Sequence, residues 1–281
     1  MSIISKEIDF DKLSKPWLDP IPIQCKYNEL QLEYNDRTTY NNSVKMEKNI
    51  HFIWIGSIIK ENYFHTVLTC KTINNTYSVY LWIDDNSLND SIKNQLIQHN
   101  IIIKNIYEEL SIDLELNHYI LRQINKFYNY GFKADIIRLY IVYNYGGIYS
   151  DIDSVWLKPF DENFEYDFVS YRIDHQCADI GNPFFGFHKG SIILLDFLQN
   201  LEKSIDCIMK VNNNYVIQEH IPIMTGGSFL TRILTKNKYN NLNYIHQAYC
   251  VIGGPHEDIY SSYSKEGKSY CYQTFDKNWC I

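Results

Sequence analysis

An α/β fold, with a mostly parallel central sheet flanked by helices in a single domain, is what this chain predicts, and three observations predict it. Apolar runs of strand length end in glycine or in acidic residues. Runs that are apolar throughout, rather than alternating, belong to strands covered on both faces. Between them lie segments with apolar residues at helical spacing, and such alternation of strand and helix winds into a parallel sheet. The 281 residues are 45% hydrophobic and 21% charged, which is enough apolar surface for one sizeable core.

Residues 1–48 lack clear periodicity and carry Pro16, Pro20 and Pro22; they are expected to form an N-terminal extension to a domain spanning 49–281. "NIHFIWIGS" (49–57) is the first strand, and 61–73 is a helix. "YSVYLWIDD" (77–85) is the second strand, ending in Asp84 and Asp85. "SLNDSIKNQLIQHN" (87–100) predicts a helix capped by Ser87, with Leu88, Ile92, Leu96 and Ile97 on one face. "IIIKNIY" (101–107) is a third strand. "FKADIIRLYIVYNYGG" (132–147) is a helix apolar nearly all round, hence buried, and closed by Gly146. Ligands bind beyond the carboxyl ends of strands in such sheets. Trp54-Ile55-Gly56, Asp84-Asp85 and Asp151-x-Asp153 are therefore expected on one shared edge.

That buried helix carries two charges, Asp135 and Arg138, three residues apart and so neighbours on one face. They form either a structural ion pair or a polar patch aimed into a site. After it, "GGIYSDIDSVW" (146–156) places Asp151 and Asp153 between apolar runs, where carboxylates need a compensating cation. Read as an extended segment, the two point to the same side roughly 6–7 Å apart. That is too far for both to touch one ion at about 2.0–2.4 Å, so one would coordinate and the other would act through water. Hard oxygen donors favour Mg²⁺ or Mn²⁺, and so few protein ligands leave room for phosphate oxygens. The alternative readings of the pair are a solvated turn and a calcium-type loop.

Other features narrow the field. A net charge of -7 without a basic run argues against nucleic-acid binding. Seven cysteines without C-x-x-C spacing favour reduced thiols in a cytosol-like compartment. The start "MSIISKEIDF" has no signal-peptide core and no 18-residue apolar run occurs, so a soluble protein with no transmembrane segment is expected. Neither a Gly-x-Gly-x-x-Gly nor a P-loop pattern is present, which argues against NAD- or ATP-type sites. His51, His118, His220, His246 and His256 show no ligand spacing and are assigned to structure or surface.

"ADIIRLYIVYNYGGIYSDIDSVWLKPF" (134–160) resembles the sugar-binding region of Asp-x-Asp glycosyltransferases of the GT-A fold. That group includes Golgi-type α-1,6-mannosyltransferases, α-1,4-galactosyltransferases and, more distantly, the large clostridial glucosylating toxins. "IHFIWIG" and "LWIDD" resemble the family's first two strands. "TGGSFLTRIL" (225–234) resembles its later Thr-Gly-Pro helix start, with Gly227 for proline. "YCYQTFDKNW" (270–279) resembles its closing motif, with Gln273 where His is usual and Asn278 where Ser is usual. The resemblance runs over roughly 49–279.

Carried over, the resemblance implies a donor site. Trp54 would stack on the nucleotide base, with the backbone of Ile53 reading the base edge. Asp135 and Arg138 would bind the donor sugar, Arg138 also lying near the diphosphate. Tyr149 would contact ribose or phosphate, and Asn182 the sugar or acceptor. Asp151 would reach ribose, sugar or a metal-bound water, Asp153 would ligate Mn²⁺ or Mg²⁺, and the amide oxygen of Asn278 would join it. Trp279 would close over the diphosphate. The implied activity is metal-dependent hexose transfer from a nucleotide sugar, by preference a UDP-sugar, with retention of configuration. The acceptor would be a glycan, glycolipid or protein, as for an effector delivered into or expressed in a host cell. The residues alone leave blander roles open: Trp54 as core packing, Tyr149 as a strand aromatic, and the whole pocket as a non-catalytic nucleotide-sugar or glycan binder.

Overall fold

The computed structural model describes residues 4–5, 44–161, 164, 166–174, 177–212, 220–236, 239, 242–246, 251–252 and 269–274. Its strands are β1 (Ile4–Ser5), β2 (Asn49–Trp54), β3 (Ser78–Ile83), β4 (Ile102–Asn105), β5 (Gly147–Ser150), β6 (Ser154–Trp156), β7 (Phe168–Asp174), β8 (Cys177–Phe187), β9 (Asn243–His246), β10 (Val251–Ile252) and β11 (Cys271–Gln273). Its helices are α1 (Glu61–Ile73), α2 (Asp90–Gln98), α3 (Ile106–Leu110), α4 (Glu115–Ile124), α5 (Tyr130–Tyr145), α6 (Ile192–Val211), α7 (Ile221–Met224) and α8 (Gly227–Lys236).

The main sheet has the order β1-β9-β7-β8-β5-β2-β3-β4. Strands β5, β2, β3 and β4 run parallel, as the sequence predicts, with Trp54 opposite Ile83 and Ile83 opposite Asn105. Their carboxyl ends share one edge, where the Gly56 amide donates to Asp84 Oδ2 at 2.7 Å. The other half is mixed: β8 lies antiparallel to both β5 and β7, β9 parallel to β7, and β1 antiparallel to β9. A second sheet, β10-β11-β6, sits beside the end of β5.

Each face of the main sheet has its own core. Period-two alternation sends Ile53 to the face covered by α5 and Ile50, Phe52 and Trp54 to the face covered by α1. Likewise Phe185 and Phe187 of β8 join α5, while Phe184 joins Phe52, Phe160 and Phe168. Each fully buried phenylalanine contributes about 1.5–3 kcal/mol, and these two clusters fix the sheet that carries the site.

The helix over 61–73 falls where the sequence predicts. The one expected from Ser87 begins later, at Asp90, because Asn89 caps it by accepting from the Ile92 amide at 2.9 Å. Ser87 instead donates to the Trp54 carbonyl and to Asp84, and Ile97 is 54% exposed, so the helix's buried stripe is narrower than its pattern suggests. Helix α5 starts at Tyr130 under an Asn129 cap and stops at Gly146, whose φ of 65° ends the helix as predicted. No helix among the described residues is long and apolar enough to cross a membrane.

Candidate active site

Six of the side chains singled out from the sequence meet where α5 faces the end of β5 and the middle of β8. Arg138 Nη2 pairs with Asp135 Oδ1 at 3.1 Å, and its Nη1 pairs with Asp151 Oδ1 at 3.1 Å. Nη1 also donates to the Asn182 carbonyl at 2.7 Å. Its guanidinium lies 4.5 Å from the centre of the Tyr149 ring, within cation–π range. The Tyr149 hydroxyl donates to Asp151 Oδ1 at 2.7 Å. Asn182 Nδ2 donates to Asp135 Oδ1 at 2.8 Å. Asp153 lies two residues beyond Asp151 and joins it through Gln273, whose Nε2 donates to Asp151 Oδ2 at 3.3 Å and to Asp153 Oδ1 at 3.1 Å.

Burial sets the electrostatics. Asp135 is pushed up to about 6 by burial, against the opposing pull of Arg138 and of hydrogen bonds from Thr225 and Asn182. It is therefore an anion at neutral pH but one close to taking a proton. Burial alone would lower the Arg138 pKa; Tyr149, Asp151, Asp135 and Asp153 outweigh it and hold the guanidinium above its ordinary value. Burial raises the Tyr149 phenol well above its usual range, so it remains a donor. The patch is a fixed cation ringed by carboxylates.

One expectation needs correction. Asp151 and Asp153 are not in an extended segment: the Ser154 amide donates to the Asp151 carbonyl at 3.0 Å, closing a turn between β5 and β6. The turn brings an oxygen of each carboxylate within hydrogen-bonding distance of one nitrogen, Nε2 of Gln273. The turn is tied down by the Asp151 amide donating to the Pro183 carbonyl and the Thr274 amide to the Asp153 carbonyl.

The remaining residues stand apart from this network. Trp54 is 9% exposed, packs on Tyr63 with ring centres 5.0 Å apart, and donates its indole N–H to the Ser57 carbonyl. Ile53 is buried on the opposite face of β2. Asp84 builds a turn, accepting from Asn86 and Ser87. Asn278 and Trp279 lie outside the described residues. Two participants were not singled out as site residues. Thr225, just before α8, donates its hydroxyl to Asp135 Oδ2 at 3.1 Å; the Thr-Gly helix start was its signal. Gln273 was noted only for standing where His is usual, and its contact with both aspartates has no local signature.

The oxygen donors at the turn suit a hard divalent ion. Among the described residues no group of three or more His, Cys, Asp or Glu is placed to hold a metal. An ion here would thus be held by the aspartates and a neighbouring amide oxygen, with its other positions left for phosphate.

The model of the glycosyltransferase sugar-binding region containing the DXD motif matches residues 61–169. That stretch, less than half of the chain, includes Asp135, Arg138, Tyr149, Asp151 and Asp153, so the resemblance read from the sequence holds over the central part of the site. Inositol phosphoceramide mannosyltransferase 3 of Schizosaccharomyces pombe is 27% identical over 171 residues, 60% of this chain and 41% of that protein. Toxin B of Clostridioides difficile is 33% identical over 81 residues, 28% of this chain and 3% of the toxin. The matches therefore span less than half of the length of these relatives. Among solved structures, PaToxG glycosyltransferase superposes with a TM-score of 0.50 at 21% identity, covering 68% of this chain and 69% of that one. The fold is that of the GT-A glycosyltransferases.

Proposed function

We propose that the chain is a glycosyltransferase that moves a hexose from a nucleotide sugar, by preference a UDP-sugar, to a glycan, glycolipid or protein acceptor. The observation that carries this reading is the Asp135–Arg138–Asp151 cluster with Asp153 beside it, inside the stretch that matches the DXD sugar-binding region. Arg138 is held cationic at the sheet edge where charge would grow on a departing diphosphate. Asp135, ionised above about pH 6, is suited to hold sugar hydroxyls and to face an oxocarbenium-like centre. Tyr149 and Asp151 would hold the ribose or phosphate side, and Asn182 the sugar. Asp153 and Asp151, with Asn278, would hold Mn²⁺ or Mg²⁺, which supplies charge neutralisation to a bound diphosphate. Trp54, Ile53 and Trp279 would serve the base and close the diphosphate. Retention of configuration, with the leaving phosphate taking the acceptor proton, completes the reading.

The name of the yeast relative specifies mannose transfer to inositol phosphoceramide, and that of the other relative specifies a toxin. A glycolipid acceptor and delivery of a soluble protein into a host cell are proposals for this chain on that basis. Gln273 standing between the aspartates favours one second reading, a nucleotide-sugar binder without turnover.

Thermal unfolding of the protein with a panel of nucleotide sugars, with and without Mn²⁺, tests both. A ligand that binds only the native state adds about 2.7 kcal/mol at a hundredfold excess over its Kd. The expected result is a metal-requiring shift with one donor, absent in Asp153→Asn. A shift without hydrolysis or transfer assigns the binder; no shift with any donor removes the transferase.

A further inference from the structure

Gln273 is 4% exposed, and its two amide atoms have opposite fates. Nε2 lies between the carboxylates of Asp151 and Asp153 and donates to both. Oε1 is buried and accepts no hydrogen bond. It is not an isolated defect. Ser154 Oγ and Trp156 Nε1, on the strand facing Gln273, and Ser150 Oγ, at the start of the turn, are buried without a partner as well. Buried polar atoms are paired almost everywhere in folded proteins, and an unpaired group calls for an ion, a water or a strain account. Four such atoms belong to residues that flank or pair beside one acidic turn.

An amide is two-faced: one end donates, the other accepts, and rotation about the last side-chain torsion exchanges them. Facing two carboxylates, the N–H end is favoured, which is the arrangement seen. With a divalent cation between those carboxylates the preference inverts, because the N–H end is repelled and the carbonyl oxygen becomes a hard ligand. On the side away from the ion, Asp151 is already held by Arg138 and Tyr149.

We propose that Gln273 gates the ion site: its amide N–H bridges Asp151 and Asp153 in the donor-free protein, and it turns to present Oε1 as a further oxygen ligand when an ion enters. Entry then requires loss of both amide–carboxylate hydrogen bonds. Two carboxylates alone recover that poorly; two carboxylates plus a diphosphate recover it well. The ion therefore arrives with the nucleotide and does not wait in a preformed site. The inference rests on the donor reading above.

Manganese binding followed by the loss of the free Mn²⁺ EPR signal tests it without turnover, on the full chain with and without UDP or GDP. Wild type is expected to bind Mn²⁺ weakly alone and about tenfold or more tighter with the matching nucleotide. Gln273→Glu, with an oxygen at both positions and no N–H, is expected to bind Mn²⁺ alone about tenfold tighter than wild type. Gln273→Leu, of similar size with no polar atom, is expected to lose the nucleotide-linked gain. Should the Glu variant unfold without ion, its Mn²⁺-dependent melting supplies the same affinity. Equal Mn²⁺ binding by all three proteins, with the nucleotide-linked gain intact, overturns the gate and leaves the donor reading standing. Absence of any nucleotide-linked Mn²⁺ binding in wild type overturns both.

Discussion

Asp135 and Arg138 stand one helical turn apart on α5 and meet at 3.1 Å with less than a tenth of either side chain exposed. Burial has raised Asp135 from 3.8 to about 6, so its folded value exceeds its unfolded one. Its contribution to stability is fully present below the unfolded pKa and is lost as pH rises through about 6. Above that, the fold carries a burden of about 3 kcal/mol from ionising this group. Asp135→Asn is expected to be more stable than wild type at pH 7.5 by up to about that amount, the gap closing toward pH 4. Urea unfolding at the two pH values measures it. The same variant is expected to lose its thermal response to nucleotide sugar, a stability gain at the expense of function.

His51 titrates the opposite way. It is fully buried, and burial has lowered it from 6.5 to about 4, partly offset by its hydrogen bond to Gly146. The Trp82 indole can only donate, so the 3.2 Å contact makes Nδ1 the acceptor and leaves the Nε2 proton for the Gly146 carbonyl at 2.8 Å. The unfolded chain binds the extra proton between pH 6.5 and 4. Stability from this group is therefore present above pH 6.5 and lost as pH falls through 4, in total about 3 kcal/mol. His51→Gln is expected to flatten that limb. Comparing the two proteins at each pH cancels the opposing contribution of Asp135.

Gly147 follows the helix-ending Gly146 with φ of 100°, and a Cβ there would sit 2.4 Å from the Asn49 carbonyl oxygen. Gly147→Ala is expected to lose roughly 2–3 kcal/mol from left-handed backbone strain and the clash. Because β5 runs directly into Asp151, loss of the donor response should accompany the drop. Urea midpoints together with thermal shift distinguish this from simple destabilisation, which would leave the response intact in the remaining folded protein.

The parts of the site written in one stretch of chain were legible beforehand. Helical spacing places Asp135 beside Arg138, and the all-apolar surroundings mark both as buried. The Gly-Gly turn announces the strand that ends at Asp151. What depended on distant pairing was not legible. Asp151 and Asp153 look extended in isolation, yet the segment turns because β6 is captured by β11, not by the main sheet. Ser87 and Asn89 are both good caps, and the choice fell to Asn89 because Ser87 is drawn to Asp84 and the end of β2. The antiparallel β7–β8 pair was not anticipated either; its register includes a shift between Val169 and Ser170. Trp54 ends an apolar strand whatever its use. Only the tertiary structure shows its ring on Tyr63.

Gln273 reaches Asp153 across 120 residues. Synthesis delivers a chain from its N-terminal end, and domains assemble in that order. A nascent chain grown as far as Phe187 already holds the arginine and all three carboxylates of the cluster, yet the strand that draws two of them together has not been made. The charges come early and the arrangement comes last. A growing or C-terminally nicked chain thus carries these charges without the strand whose glutamine links Asp151 to Asp153.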